Sequence, residues 1–313
     1  MDKKIILTKY KLTKFICYNL PPIISARLRA FLFSLESSRE LGKQKFKIRS
    51  KTGSFFSWYF NDFHAYPFSI HGYYDWRNIA IARAVCSDGF EIVEVGANIG
   101  TETLGFADIV SRLGKVHAFE PIQDNISCIK ENLRENKIDH VDIYPYAVGV
   151  REEKLKFTLP PSDMSGMGHL FREGEISENL VEVMCYPLDK FLPKFKNVKA
   201  LFIDVEGADL MVIQGARNLI MKFQPIIVLE VNENYLKKYG QNKGDLLDEL
   251  ESLSYDYFSI SRLGIKPISI NDKRSNNWIC IPKNNQGIVK KISKTIFLSA
   301  VLPFIGKINP LTR

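Results

Sequence analysis

The sequence predicts an open α/β fold built on a mostly parallel sheet. Short apolar runs recur at 92–95, 116–119, 200–203 and 226–229, separated by stretches of helical periodicity. Strands that alternate with helices in this way pair in parallel. The first run ends in a glycine turn, and each of the others is closed by an acid, at Glu120, Asp204 and Glu230.

The glycine turn organises the rest. In Glu91-Ile-Val-Glu-Val-Gly-Ala-Asn-Ile-Gly-Thr-Glu-Thr103 a β-branched run stops at Gly96, and Leu104, Ala107, Ile109 and Val110 then follow a helical pattern. Gly96 can take φ > 0 and let a ligand approach the backbone. The helix after it offers free N–H groups at its start. Open α/β sheets hold nucleotide-like ligands at such turns. The spacing of Gly96 and Gly100 departs from the G-x-G-x-x-G of dinucleotide folds. Candidate ligand contacts here are Glu94, Gly96, Ala97, Asn98, Gly100 and Thr103. Glu120, about 25 residues past Glu94, can accept hydrogen bonds from both hydroxyls of a ribose. The alternative for it is a helix N-cap. Pro121 then breaks the strand.

Glu-Val-Gly-Ala-Asn-Ile-Gly-x-x-Thr at 94–103 resembles motif I of methyltransferases that use S-adenosylmethionine (SAM), and in its wording the FkbM family in particular. Three further segments resemble that family in the same order. They are Ala-Phe-Glu-Pro at 118–121, Ile-Asp-Val-Glu-Gly-Ala-Asp at 203–209 with Gln-Gly-Ala at 214–216, and the run ending in Glu230. The resemblance covers about residues 90–285. It implies a class I SAM-dependent methyltransferase fold, Rossmann-like, with a seven-stranded, mostly parallel sheet and an antiparallel last strand. It implies SAM as cofactor and O-methylation as the reaction. It also places Ala147-Val-Gly149 near the adenine, so Ala147 joins Pro121 and Asp204 among the cofactor contacts. One departure is Phe202, where the family often has a lysine, so no role of that lysine carries over. FkbM relatives act on macrolide-type natural products or on sugars of surface polysaccharides and glycolipids.

Asp204 and Glu206 stand at a strand end and would project together if the strand continued. One could act as a base, as could Glu230, or two could bind a metal through oxygen; we expect no metal. Residues 150–198 are longer than a typical connection and so are expected to be functional or structured. Leu155–Phe157 and Val181–Met184 can pair as strands. Between them, Pro160 to Leu170 is polar and rich in glycine, predicting an exposed, mobile loop. His169 within it has an unperturbed pKa near neutrality and is the remaining candidate base; the alternative is an exposed loop histidine. His64 and His71 are expected to be structural.

The net charge of +8 is unevenly spread. Residues 1–51 hold thirteen Lys/Arg against three acids, and residues 283–313 hold six and none, so the body between them is acidic. A nucleic-acid enzyme would carry a basic catalytic face instead, so no nucleic-acid partner is expected. Basic ends with apolar faces (Ile24, Leu28, Phe31, Leu32 and Leu35 in one, Ile296 to Ile305 in the other) suit an anionic membrane surface or are solvated tails, and the first face is expected to pack on the body, with a partner or a membrane as its alternatives. The chain divides into an N-terminal extension over 1–51, a methyltransferase domain over 52–285 and a tail over 286–313. Five scattered cysteines argue against a disulfide framework and for a reducing compartment. We find no signal-peptide pattern and no run of the ~20 apolar residues a spanning helix needs. A cytoplasmic enzyme is expected, in peripheral contact with the inner face of the membrane and acting on a glycan or glycolipid. Two rivals stand beside it: an N-methyltransferase on a protein or amine, and a non-catalytic SAM-binding module of a glycan assembly complex.

Overall fold

A computed structural model describes all residues except 1, 162, 172–178, 269–275 and 313. The chain opens with helices α1 (Lys3–Tyr18), α2 (Pro22–Leu32) and α3 (Leu35–Arg39). The hairpin β1 (Lys45–Arg49) and β2 (Phe55–Tyr59) follows, then α4 (Ala65–His71) and α5 (Trp76–Val85). From there strands and helices alternate: β3 (Glu91–Val95), α6 (Thr101–Val110), β4 (Lys115–Phe119), α7 (Gln123–Glu135) and β5 (Val141–Tyr144). An insert holds β6 (Ala147–Val148), β7 (Glu153–Thr158), β8 (His169–Leu170) and β9 (Leu180–Tyr186). The alternation resumes with β10 (Val198–Ile203), α8 (Asp209–Gln214), α9 (Arg217–Phe223), β11 (Ile226–Glu230), α10 (Glu233–Lys238) and α11 (Lys243–Ser252). The chain closes with β12 (Tyr255–Ser261), β13 (Gly264–Pro267), β14 (Asn277–Pro282) and α12 (Ile288–Val301).

The main sheet runs β13-β12-β14-β11-β10-β3-β4-β5. Strands β11, β10, β3, β4 and β5 are parallel, and β14 is antiparallel to both of its neighbours. This is the expected class I methyltransferase sheet with its antiparallel last strand. An eighth strand is added because the chain turns back after Ser261 and β13 pairs onto the edge strand β12. The fully buried β3 lies third from the β5 edge, and the chain leaves it in opposite directions toward β4 and β10. The carboxyl ends at that switch point form the crevice where such sheets bind ligands.

The insert forms its own sheet, β6-β9-β7-β8, in which Leu155 faces Val183 and Phe157 faces Val181, the pairing expected from the sequence. The ends of the chain are packed against the body. Helix α1 buries Ile6, Tyr10, Thr13 and Cys17, in one core with Ala97, Ile99 and Ile129 beneath the glycine turn. On α2 the expected face divides: Leu28 and Leu32 pack inward, whereas Ile24 and Phe31 are exposed. The apolar tail does not trail, since Ile292, Ile296 and Ala300 of α12 are buried and Phe304 N donates to Asn19 O. Among the described residues no helix is long and apolar enough to cross a membrane.

Candidate functional site

The glycine turn is built by three strand ends meeting. The N–H groups of Gly96 and Ala97 both donate to Phe119 O at the end of β4, each at 3.0 Å. On the other side Asp204 N donates to Val95 O at 2.9 Å. Gly96 has φ +88°, and a Cβ on it would lie 1.9 Å from Asp204 O. The glycine is therefore demanded by the junction of β3 and β10, a tighter constraint than the ligand approach expected from sequence. Gly100, at φ +83°, is likewise wedged against Ile129, where a Cβ would come within 2.9 Å of Cγ1.

Glu120 braces this turn from β4. Its Oε2 accepts from Asn98 N at 2.8 Å, and its Oε1 accepts from Ile122 N at 2.9 Å and Asn125 Nδ2 at 3.3 Å. Burial pushes its carboxyl up to about 7, and these donors pull it down. Glu94 is tied in the same way to the start of α6, with Thr103 Oγ1 donating to Glu94 Oε2 at 2.6 Å. Burial raises the Glu94 carboxyl to about 8.

These groups line a cavity of about 360 Å³ at the carboxyl ends of the strands. One end is apolar and aromatic, from Ile122, Tyr146, Ala147, Val148 and Phe157. The other is acidic, from Asp75, Glu102, Asp204, Glu206 and Glu230, with Arg77 as its basic member. Arg77 Nε donates to Asp75 Oδ1 at 2.9 Å. Asp204 opens onto the cavity while protein surrounds it. Burial first, then the like charges of Glu230, Glu206 and Asp75, push its carboxyl up to about 7. Glu230 is also raised, by burial, with Arg77 opposing. Glu102, hydrogen-bonded to Asn78, is raised well above the usual carboxylate range by burial and then by Asp75.

The strand β10 ends at Ile203, so Asp204 and Glu206 are not successive strand positions. Glu206 instead takes φ +53° in the turn before Gly207, and that reversal brings both carboxylates to the cavity. Among the described residues no group of three or more His, Cys, Asp or Glu is arranged to hold a metal ion.

A segment of the insert closes over the cavity. Ser165–Met167 forms a short 3-10 turn whose Gly166 and Met167 line the site. The expected exposed, mobile loop is instead tied down: Phe63 N donates to Asp163 O at 2.8 Å, Ser165 N to Asp62 Oδ2 at 3.1 Å, and Arg39 pairs with Asp163 at 2.9 Å. Its polar composition reflects these bonds to the N-terminal segment.

His169 does not line the cavity, whereas Gly168 and Leu170 on either side of it do. Side chains alternate along an extended segment, so the residue between two inward positions points away; His169 Nδ1 bonds Met167 O at 3.0 Å. The histidine in the site is His64, which the sequence pattern marks only as structural. It stacks on Tyr74 with centroids 3.5 Å apart, and its Nε2 meets Thr101 Oγ1 at 3.1 Å. Burial lowers its pKa to about 3, so the ring is neutral. Gly100 and Thr103 also lie off the cavity, the one packed on Ile129 and the other bonded to Glu94, while Glu94, Gly96, Ala97, Asn98, Glu120, Pro121 and Ala147 line it. Asp75 and Arg77 have no signal in sequence spacing, because α5 meets α6 and the sheet only in the fold; Glu102 lies within the glycine-turn motif, which does not single it out.

The cavity fits SAM. Asn98 is only 8% exposed, yet neither Nδ2 nor Oδ1 finds a partner among the described residues. Such orphaned buried groups call for a bound polar partner. The apolar end suits an adenine, and the acidic end complements a cationic sulfonium and ammonium.

Comparison with known proteins agrees with this chemistry. Residues 94–257 match the family described as the methyltransferase FkbM domain. "Methyltransferase 1" of Beauveria bassiana (strain ARSEF 2860) is 27% identical over 144 residues, covering 40% of this chain and 57% of that protein. Among solved structures, a methyltransferase FkbM from Methylobacillus flagellatus KT overlaps with a TM-score of 0.41 at 15% identity, over 88% of this chain and 58% of that one. Aeropyrum pernix fibrillarin, with SAM natively bound, overlaps at 0.39 with 12% identity, over 77% and 82%. The chain thus spans little more than half the length of the curated relative and of the FkbM structure. The family match takes in the glycine turn, Glu120, the carboxylates at 204 and 206, and Glu230, and on it the chain belongs to the FkbM family of SAM-dependent methyltransferases.

Proposed function

We propose that the protein transfers a methyl group from SAM to a hydroxyl of an uncharged, sugar-like acceptor in a surface glycan, glycolipid or related natural product. The observation that carries this is the convergence of Asp204, Glu206 and Glu230 on one cavity with the SAM-binding turn. Bound SAM supplies an electrophilic methyl on a sulfonium. Asn98 and Glu120 would hold and orient its nucleoside end, and the acidic wall its charged end. The Ser165–Met167 turn excludes water from above, and positioning supplies much of the rate. Asp204, with a carboxyl near neutrality, can take the proton from an acceptor hydroxyl. An acidic wall of this kind repels phosphate and carboxylate groups, which supports an acceptor without negative charge at the reacting position.

A second reading is favoured by the same wall. Phe63 and Tyr74 stand with Asp75, Glu102 and Glu230 around the cavity, and aromatic and acidic groups together would hold a cationic amine. N-methylation of an amine is therefore the alternative. Labelled methyl transfer to extracted glycans and to protein, followed by acid and base lability of the product, separates ether from amine. Mass spectrometry of surface glycans with and without the gene should show the loss of one methyl group. SAM binding without transfer to any acceptor would leave a binding module.

A further inference from the structure

We propose that helix α1 docks the protein on an anionic lipid surface. The helix is apolar on two opposite faces. Its inner stripe, Ile6, Tyr10 and Cys17, is buried in the body. Its outer stripe is Ile5, Leu12, Phe15 and Ile16, of which Leu12 is 57% and Phe15 81% exposed. At 100° per residue these outer positions lie within about a quarter-turn of one another, opposite the buried stripe. A helix packed on its own protein has no need of a second apolar face, and one that stays in water pays for it in solubility.

The charges name the occupant. Lys3, Lys4, Lys9, Lys11 and Lys14 lie on this helix, and it contains no acid. Lys9 flanks the outer stripe on one side, and Lys4 and Lys11 on the other, which is the pattern of an interfacial helix on anionic lipid. Lys11, Lys14 and Phe15 also border an open groove against β1, which Lys45 and Lys47 line from the other side. Lys45 and Lys47 pair with Glu131 and Glu135, so a headgroup phosphate would sit by Lys11 and Lys14 while Leu12 and Phe15 enter the acyl boundary. A second copy of the chain is a poor occupant, since a two-fold contact here would set the α1 lysines of both copies against each other, and the acids beside them, Glu131 and Glu135, are already paired with Lys45 and Lys47. The tail expected to share this role buries Ile292, Ile296 and Ala300 and leaves Phe297 and Ile305 exposed, so α1 is the main contact. This inference is independent of which acceptor the cavity takes.

Sedimentation of the full chain with vesicles of phosphatidylcholine alone, or mixed with phosphatidylglycerol, tests it. Binding is expected only to the mixed vesicles and is expected to weaken as salt is raised. Leu12→Gln and Phe15→Gln should each reduce partitioning about tenfold or more, the worth of burying one such side chain. Both should leave the melting temperature and SAM binding unchanged, because neither side chain packs on the body. Absence of binding, equal binding to both vesicle types, or full binding by Phe15→Gln would overturn the proposal. So would a concentration-dependent dimer in solution that either variant abolishes.

Discussion

The N–H of Asn98 donates to Glu120 Oε2 at 2.8 Å, so the acid expected to meet the ribose also fixes the loop that carries Asn98. Replacing it removes a charged acceptor and loosens the turn together. Glu120→Ala should weaken SAM binding by roughly 1.5–3 kcal/mol, about ten- to a hundredfold. Titration calorimetry with SAM reads this directly, and an unchanged affinity would remove Glu120 from the cofactor site.

Gly96→Ala tests the junction rather than the ligand. The left-handed backbone alone costs about 1–3 kcal/mol for a residue with a side chain, and the Cβ would collide with Asp204 O. The melting temperature should fall by several degrees even without SAM. A variant that melts like the wild type would show that β3 and β10 are not held as tightly as the geometry states.

The carboxylates and the two histidines should separate by turnover. Asp204→Asn and Glu206→Gln should lower the rate by ~10²–10⁴-fold, as loss of a general base does, with a smaller effect on SAM affinity. His64→Ala should impair both, because His64 stacks on Tyr74 and bonds Thr101 beside the cofactor turn. His169→Ala should stay near the wild-type rate. A hundredfold loss in His169→Ala would restore that residue as the base.

Binding of SAM should tighten as pH rises from about 6 to 8. The Asp204 carboxyl, at about 7, is largely neutral below this window and charged above it, and a sulfonium favours the charged form. Binding should therefore release a proton and be strongest on the alkaline side. S-adenosylhomocysteine lacks the sulfonium charge and should show a flatter profile. Parallel calorimetric titrations across this range decide it, and identical slopes for the two ligands would count against an electrostatic role for the acidic wall.

Whatever depends on neighbours in the chain was legible before the fold. The runs at 92–95, 116–119, 200–203 and 226–229 became strands, and the Gly96 turn became a ligand crevice, because strand periodicity and positive φ are local demands. The order of strand ends along the chain likewise foretold which acids meet. Tertiary structure decided the rest. Gly96 is required by a carbonyl of the segment after another strand, and His64 meets Thr101 only because the turn before α4 comes up to the start of α6. His169 is turned away by the alternation of the segment around β8, whose phase is set by pairing with β7. The two faces of α1 look alike in sequence, and only contact with the core settled which is buried. Side-chain direction is fixed by register against distant partners, and a single chain read in order does not contain that register.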